Sequence, residues 1–211
     1  MHLPALSDSS PLILASASPR RREILTTLGI PFTVHPADTE DPIDSALPPE
    51  EAVRRTAASK ARAVSAQYPG RWVLGADTVV LPPDGAGTAA LGKPHSAGEA
   101  AAMLRLLSGR THRVLTGVWL CTPEGEDGFT DAALVTFFPM TEADIADYLA
   151  TGEPFDKAGA YGIQGRGSRY IRGLTGDFFT VMGLPAGRLW RFLTDFLHGT
   201  ADLRRTAAKD L

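Results

Sequence analysis

The stretch Leu12-Ile-Leu-Ala-Ser-Ala-Ser-Pro-Arg-Arg-Arg-Glu-Ile-Leu-Thr-Thr-Leu-Gly29 reads as a strand, a turn and a helix. Leu12–Ala15 is a continuous apolar run of strand length and reads as a buried strand. Ser18 suits an N-cap, and Pro19 suits the first helical position, where its missing N–H costs nothing. Ile24, Leu25 and Leu28 give the helix an apolar stripe, and Gly29 ends it. Phe32–Val34 then reads as the next strand. A strand led through a helix to another strand is the unit of an α/β fold.

The pattern continues outward. Pro48 and Pro49 open a second helix with Glu50 and Glu51 in its first turn, where the helix dipole favours acids. Val53, Ala57, Ala61 and Val64 share one face of it. Trp72–Gly75 and Thr78–Leu81 are strand-like around Ala76 and Asp77, and Pro82–Ala90 reads as a loop. Ser96 and Glu99 form a capping box ahead of a helix that runs to Leu107. Val114–Cys121 and Ala132–Phe138 read as strands of a hairpin, joined by a loop rich in Gly, Glu and Asp. Thr141–Leu149 is another capped helix, Asp177–Val181 reads as a strand, and Pro185–Leu197 as a helix with Leu189, Phe192, Leu193 and Phe196 on one face. Early alternation plus a hairpin predicts an α/β chain with a mixed sheet. One domain over residues 1–198 and a frayed tail over 199–211 are expected.

Composition narrows the function. Of 211 residues, 44% are hydrophobic and 21% charged, which is globular rather than disordered. The net charge of -3 argues against a nucleic-acid polymer as partner, though not against a small anion held by local charge. Cys121 is a single cysteine, so no internal disulfide is possible and a reducing compartment fits. The start of the chain has no basic n-region and only a short apolar run, so neither a signal peptide nor a membrane span is expected; cytoplasm is the default.

Five segments carry candidate chemistry. Ser16 to Glu23 places Arg20 and Arg21 in the first turn of a helix, where the dipole disfavours cations unless an anion binds. Lys60 falls on the apolar stripe of the second helix and must either snorkel or meet an anion. Asp77 lies inside an apolar run; it is a metal ligand, a general base, both, or a turn cap. Glu40 and Asp41 could add carboxylates, or form a solvated acidic loop. Lys93, between Gly92 and Pro94, sits on a stiff loop suited to a phosphate. In the glycine-rich run Asp156 to Ser168, Tyr161 and Gln164 could offer a ring and an amide to a base edge. Walker A, G-x-S-x-G and H-E-x-x-H patterns are absent, the five histidines lack metal-ligand spacing, and Cys121 reads as core.

Taken in order, S-x-S-P-R-R, S-K-A, G-A-D-T, G-K-P, L-S-G-R-T-H and K-A-G-A-Y-G-I-Q-G resemble the Maf family of nucleoside triphosphate pyrophosphatases, from about Leu12 to Phe196. The run Ala158 to Gly165 is similar to the subgroup that prefers dTTP and UTP. The resemblance implies a Maf/ITPase-like fold: an elongated mixed sheet flanked by helices, with two lobes and a cleft between. It implies hydrolysis of a nucleoside triphosphate to the monophosphate and pyrophosphate, with Mg2+ or Mn2+, and a homodimer would be in keeping with it. Position by position, Asp77 matches the family's proton acceptor. Arg20, Thr78 and Gln164 match its specificity positions; Ser16, Arg21, Lys60 and Lys93 match polar cleft positions. The acidic pair falls at Glu40 and Asp41, which with Asp77 are the expected metal ligands. The family usually has Glu second, so Asp41 shortens the reach by one methylene.

The rival reading is a nucleotide-binding regulator of cell division with little turnover. A pure binder has no need of a buried acid and an acidic pair, which would repel phosphates without a metal.

Overall fold

The computed structural model describes residues 6–38, 44–84 and 90–197. Along the chain run β1 (Leu12–Leu14), α1 (Pro19–Thr27), β2 (Phe32–Val34), α2 (Pro49–Ser65), β3 (Val73–Leu81), α3 (Ala97–Leu107), β4 (Thr111–Thr122), β5 (Gly125–Phe137), α4 (Glu142–Leu149), β6 (Ile171–Thr175), α5 (Phe178–Met182) and α6 (Ala186–Leu197). Three short 3-10 turns between Glu153 and Tyr170 carry the glycine-rich segment. Among the described residues the strands form one sheet in the order β2-β1-β3-β4-β5-β6. β1 is parallel to β2 and β3, and the remaining pairs are antiparallel. The expected mixed sheet is therefore present.

Strand alternation sorts the core. On one face Leu74 and Ala76 of β3 join Val118 and Leu120 of β4 in a cluster with α1 and α6. Farther along the same face, Val80 and Val114 belong to a second cluster with α3 and α4. The two lobes are these two apolar clusters on one sheet. The opposite face takes α2, through Ala61, Val64, Val73 and Cys121 at one end and Val53, Val79 and Leu115 at the other.

Two glycines let α2 lie almost on the strand backbone. A Cβ at Gly75 would stand 2.3 Å from the Ala57 carbonyl oxygen, and one at Gly117 would stand 2.6 Å from that of Val53. No ordinary side chain tolerates either distance.

Three expectations change. β3 is continuous through Ala76 and Asp77, because β4 pairs with it from Val73 to Leu81. The hairpin turn is only Pro123 and Glu124, since most of the expected loop is strand paired to β4. Asp177–Val181 is not a strand. The Asp177 carboxylate accepts from the Phe179 amide and caps α5, so a local cap outweighs an aromatic, β-branched run. No helix among the described residues is long and apolar enough to cross a membrane. The expected tail, 199–211, lies outside the described residues.

Candidate active site

β1 ends at Leu14, and its pairing with β3 ends at Leu74. Beyond that point the chain turns through Ser16–Ser18 into α1, and the flank of β3 at Asp77 and Thr78 opens into a cleft of about 520 Å³. The cleft thus lies beyond the carboxyl end of a parallel strand, where open α/β sheets place their ligands.

Ser16, Arg20, Arg21, Lys60, Asp77, Thr78 and Lys93 all line this cleft. Four separate segments of sequence converge there. Gln164 sits one residue beyond the lining residues Gly162 and Ile163, and its amide donates to Glu23 at 3.3 Å. Glu40 and Asp41 lie outside the described residues.

The α1 N-terminus carries no acid in its first turn, and Ser18 stands at the N-cap position without a side-chain capping bond. Its first-turn amides thus face the cleft side uncapped. Arg21 is buried, and each of its three nitrogens donates to a protein oxygen. Its Nε donates to the Gly183 carbonyl at 2.8 Å, Nη1 to Ser16 Oγ at 2.9 Å and Nη2 to Thr78 Oγ1 at 3.2 Å. Burial lowers its pKa, with Asp77 opposing and Arg20 adding to the shift. Arginine remains charged even so. Arg21 is therefore a strut held by three of its five N–H groups, and it lines the cleft as a fixed positive charge.

Lys60 resolves its two alternatives by meeting an anion. Its Nζ donates to Asp77 Oδ1 at 2.5 Å, with the two side chains 22% and 17% exposed. Lys93 is exposed at the rim.

Two cleft residues escaped the sequence reading. Asp156 Oδ2 accepts from Arg20 Nη1 at 3.1 Å, and its Oδ1 accepts from Lys157 Nζ at 2.5 Å. Burial pushes the Asp156 carboxyl up, but hydrogen bonds from Lys157 and Arg20 outweigh it and hold the group below its ordinary value. Asp156 is more than half exposed, so these two cations are paired to a carboxylate that an incoming phosphate can replace. The signal was the lysine of K-A-G-A-Y, read for its glycines instead of its charge.

Tyr161 closes the cleft from the glycine-rich side. Its hydroxyl lies 2.8 Å from His112 Nε2, and Phe137 meets both rings edge-on. Burial drives the Tyr161 phenol up and the His112 imidazole down to about 4, so both are neutral near pH 7. Neither serves as a base in the cleft.

Among the described residues no group of three or more His, Cys, Asp or Glu is placed to hold a metal. Asp77 lines the cleft, as does Asp156, which is tied to Arg20 and Lys157. One carboxylate is enough for a hard cation such as Mg2+, which takes most of its remaining ligands from water and substrate phosphates. The donor set fits such an ion on those terms.

The chain is 48% identical over 180 residues to a protein of Geobacillus sp. (strain WCH70) described as a dTTP/UTP pyrophosphatase, covering 85% of this chain and 95% of that one. A protein of Moorella thermoacetica with the same description is 50% identical over 189 residues, covering 89% and 95%. One from Bacillus velezensis, again so described, is 49% identical over 185 residues, covering 88% and 96%. Among solved structures, the Staphylococcus aureus Ham1 protein aligns with 90% of this chain and all of that one, at 13% identity and a TM-score of 0.48. The model of the Maf-like proteins matches residues 11–196, from the residue before β1 to near the end of α6. That span takes in the sheet, α1 and every wall of the cleft, and the chain belongs to the Maf family.

Proposed function

We propose that the chain is a nucleoside triphosphate pyrophosphatase that takes dTTP and UTP and releases the monophosphate and pyrophosphate. The observation that supports it most is the meeting of Arg20, Lys60, Lys93 and Lys157 with two acids, Asp77 and Asp156, in a single cleft. Relatives near 50% identity carry the same activity in their descriptions.

In this reading Arg20 and Lys157 leave Asp156 to take phosphate oxygens, with Lys93 at the rim and the α1 amides beneath. Asp77 accepts the proton of the attacking water. Lys60 fixes the direction of that carboxylate, and Ser16 and Arg21 hold the turn in place. Asp77, with Glu40 or Asp41, would hold Mg2+ or Mn2+, which neutralises phosphate charge and polarises the scissile anhydride when bound. Thr78, Arg20 and Gln164 read the pyrimidine, Gln164 by turning its amide away from Glu23. We place the enzyme in the cytoplasm, where a homodimer is the assembly to test.

The test is a panel of nucleoside triphosphates with Mg2+ or Mn2+, read as pyrophosphate release. UTP and dTTP should be turned over well ahead of CTP, ATP and GTP. No pyrophosphate from any nucleotide, with binding retained, would favour the regulator and overturn this reading.

A further inference from the structure

A polar seam crosses the sheet between its two apolar clusters. Thr78 on β3 pairs in register with Thr116 on β4, which pairs with Asp131 on β5. Along β4 the same face carries Val114 of one cluster on one side of Thr116 and Val118 of the other cluster beyond it. α5 lays Thr180 over the seam. The Thr180 hydroxyl donates to Asp131, and Asp131 also accepts from Arg188 of α6 at 2.9 Å. Thr116 and Thr180 are both fully buried, so water cannot rearrange these bonds.

The seam has a direction. Thr116 Oγ1 lies 2.7 Å from the Thr180 carbonyl oxygen. A carbonyl carries no hydrogen, so the one hydroxyl proton of Thr116 occupies that gap. Thr116 then has none to give Thr78, 3.0 Å away, and Thr78 must be the donor between them. Arg21 Nη2 has no lone pair, and at 3.2 Å it donates to Thr78 Oγ1. Thr78 has therefore spent its proton and one lone pair inside the protein. Its remaining capacity toward the cleft is a single acceptor lone pair.

We infer that Thr116 is a positioning residue for substrate choice: by taking the Thr78 proton it makes Thr78 a pure acceptor, which demands an N–H donor from the base. This rests on the proposed pyrimidine reading, and it says which edge is read. The imide N3–H of uracil or thymine satisfies Thr78. The N3 of cytosine offers a lone pair instead, and two acceptors then face each other with no proton between them.

The experiment compares kcat and KM for UTP, CTP and 3-methyl-UTP in the wild type, Thr116→Val and Thr116→Ser. Wild type should use 3-methyl-UTP at least ~10-fold less well than UTP, mainly through KM, because the methyl group removes the donor. Thr116→Val keeps the shape and frees the Thr78 hydroxyl to donate. The UTP-to-CTP ratio of kcat/KM should fall roughly 10-fold, with kcat for UTP changing less than KM. Thr116→Ser restores the hydroxyl and should restore the ratio, which a purely structural role for the buried methyl would not do. A wild type that takes 3-methyl-UTP as readily as UTP overturns the inference, whether or not the variants fold. So does a Thr116→Val enzyme with the wild-type ratio. A wild type with no preference for UTP over CTP overturns the proposed pyrimidine reading itself, and the inference with it.

Discussion

Lys60 on α2 and Asp77 on β3 meet at 2.5 Å across the helix–sheet interface, well inside the reach of an ordinary N–H···O contact. The pair is mostly buried and forms one wall of the cleft. Replacing Asp77 by Asn keeps the shape and a hydrogen-bonding oxygen for Lys60, but removes the proton acceptor. Pyrophosphate release from UTP should drop about 100-fold or more, while the thermal midpoint moves by only a few degrees. Wild-type release by Asp77→Asn would remove Asp77 from its role.

Lys157 donates to Asp156 and to the Glu153 carbonyl, and its ammonium lies on the cleft wall. Lys157→Met preserves much of the stem and deletes the charge. KM for UTP should rise about 10-fold, with kcat less affected, since the lost contact is to a phosphate present in ground and transition states alike. The wild-type KM should also climb with salt more steeply than the variant's, because screening acts on the charge that the variant lacks. Equal salt slopes would count against Lys157 as a phosphate contact.

The close approach at Gly75 makes a sharp stability prediction. In Gly75→Ala the new methyl meets backbone of α2, which cannot swing aside as a side chain would. A loss of about 2–4 kcal/mol in urea unfolding is expected, with a fall in turnover as α2 carries Lys60 away from Asp77. Gly187→Ala, where the added methyl meets open space, should be close to neutral in both assays.

His112 sets an acid limb. Unfolded, its imidazole takes a proton near the ordinary value of 6.5; folded, burial delays that to about 4. Between those values the unfolded chain binds more protons, so stability is whole above pH 6.5 and is lost as pH falls toward 4. The size of the loss is about 3 kcal/mol. His112→Gln should flatten urea midpoints measured from pH 7 down to pH 4.5, whereas an unchanged slope would assign the limb to other groups.

Much of this was legible in the sequence because the signals were local. Pro19 at the start of α1, the Thr141 cap of α4 and the apolar run of β1 depend on neighbours within a turn or two, and each element stands where it was expected. β6 was missed because Ile171–Thr175 is short, contains Gly173, and becomes a strand only by pairing with β5. The same contrast holds in the cleft. Lys60 was visible as a charge on an apolar stripe, and Asp77 as a charge in an apolar strand; their partnership resolves both misfits at once. Asp156 gave no such signal, because an exposed acid beside a lysine looks ordinary until Arg20 arrives from the far end of the chain. Thr116 and Thr180 were silent for a related reason. A threonine suits any strand, and its direction of donation exists only once the carbonyl above it is in place.

The early end of β1 has a consequence for how this enzyme divides its labour. Adjacent residues on a strand point to opposite sides of a sheet, so a ligand lying on either face can meet Asp77 or Thr78, but not both. A ligand that comes in along an open flank meets both, as a hand gripping the rim of a plate touches its top and its underside. The acid that would drive hydrolysis belongs to the α2 side, and the hydroxyl that would judge the base belongs to the α5 side. The backbone of β3 is the partition between them. Changes to the seam under Thr78 can therefore retune which base is accepted without disturbing the acid on the other side of the wall.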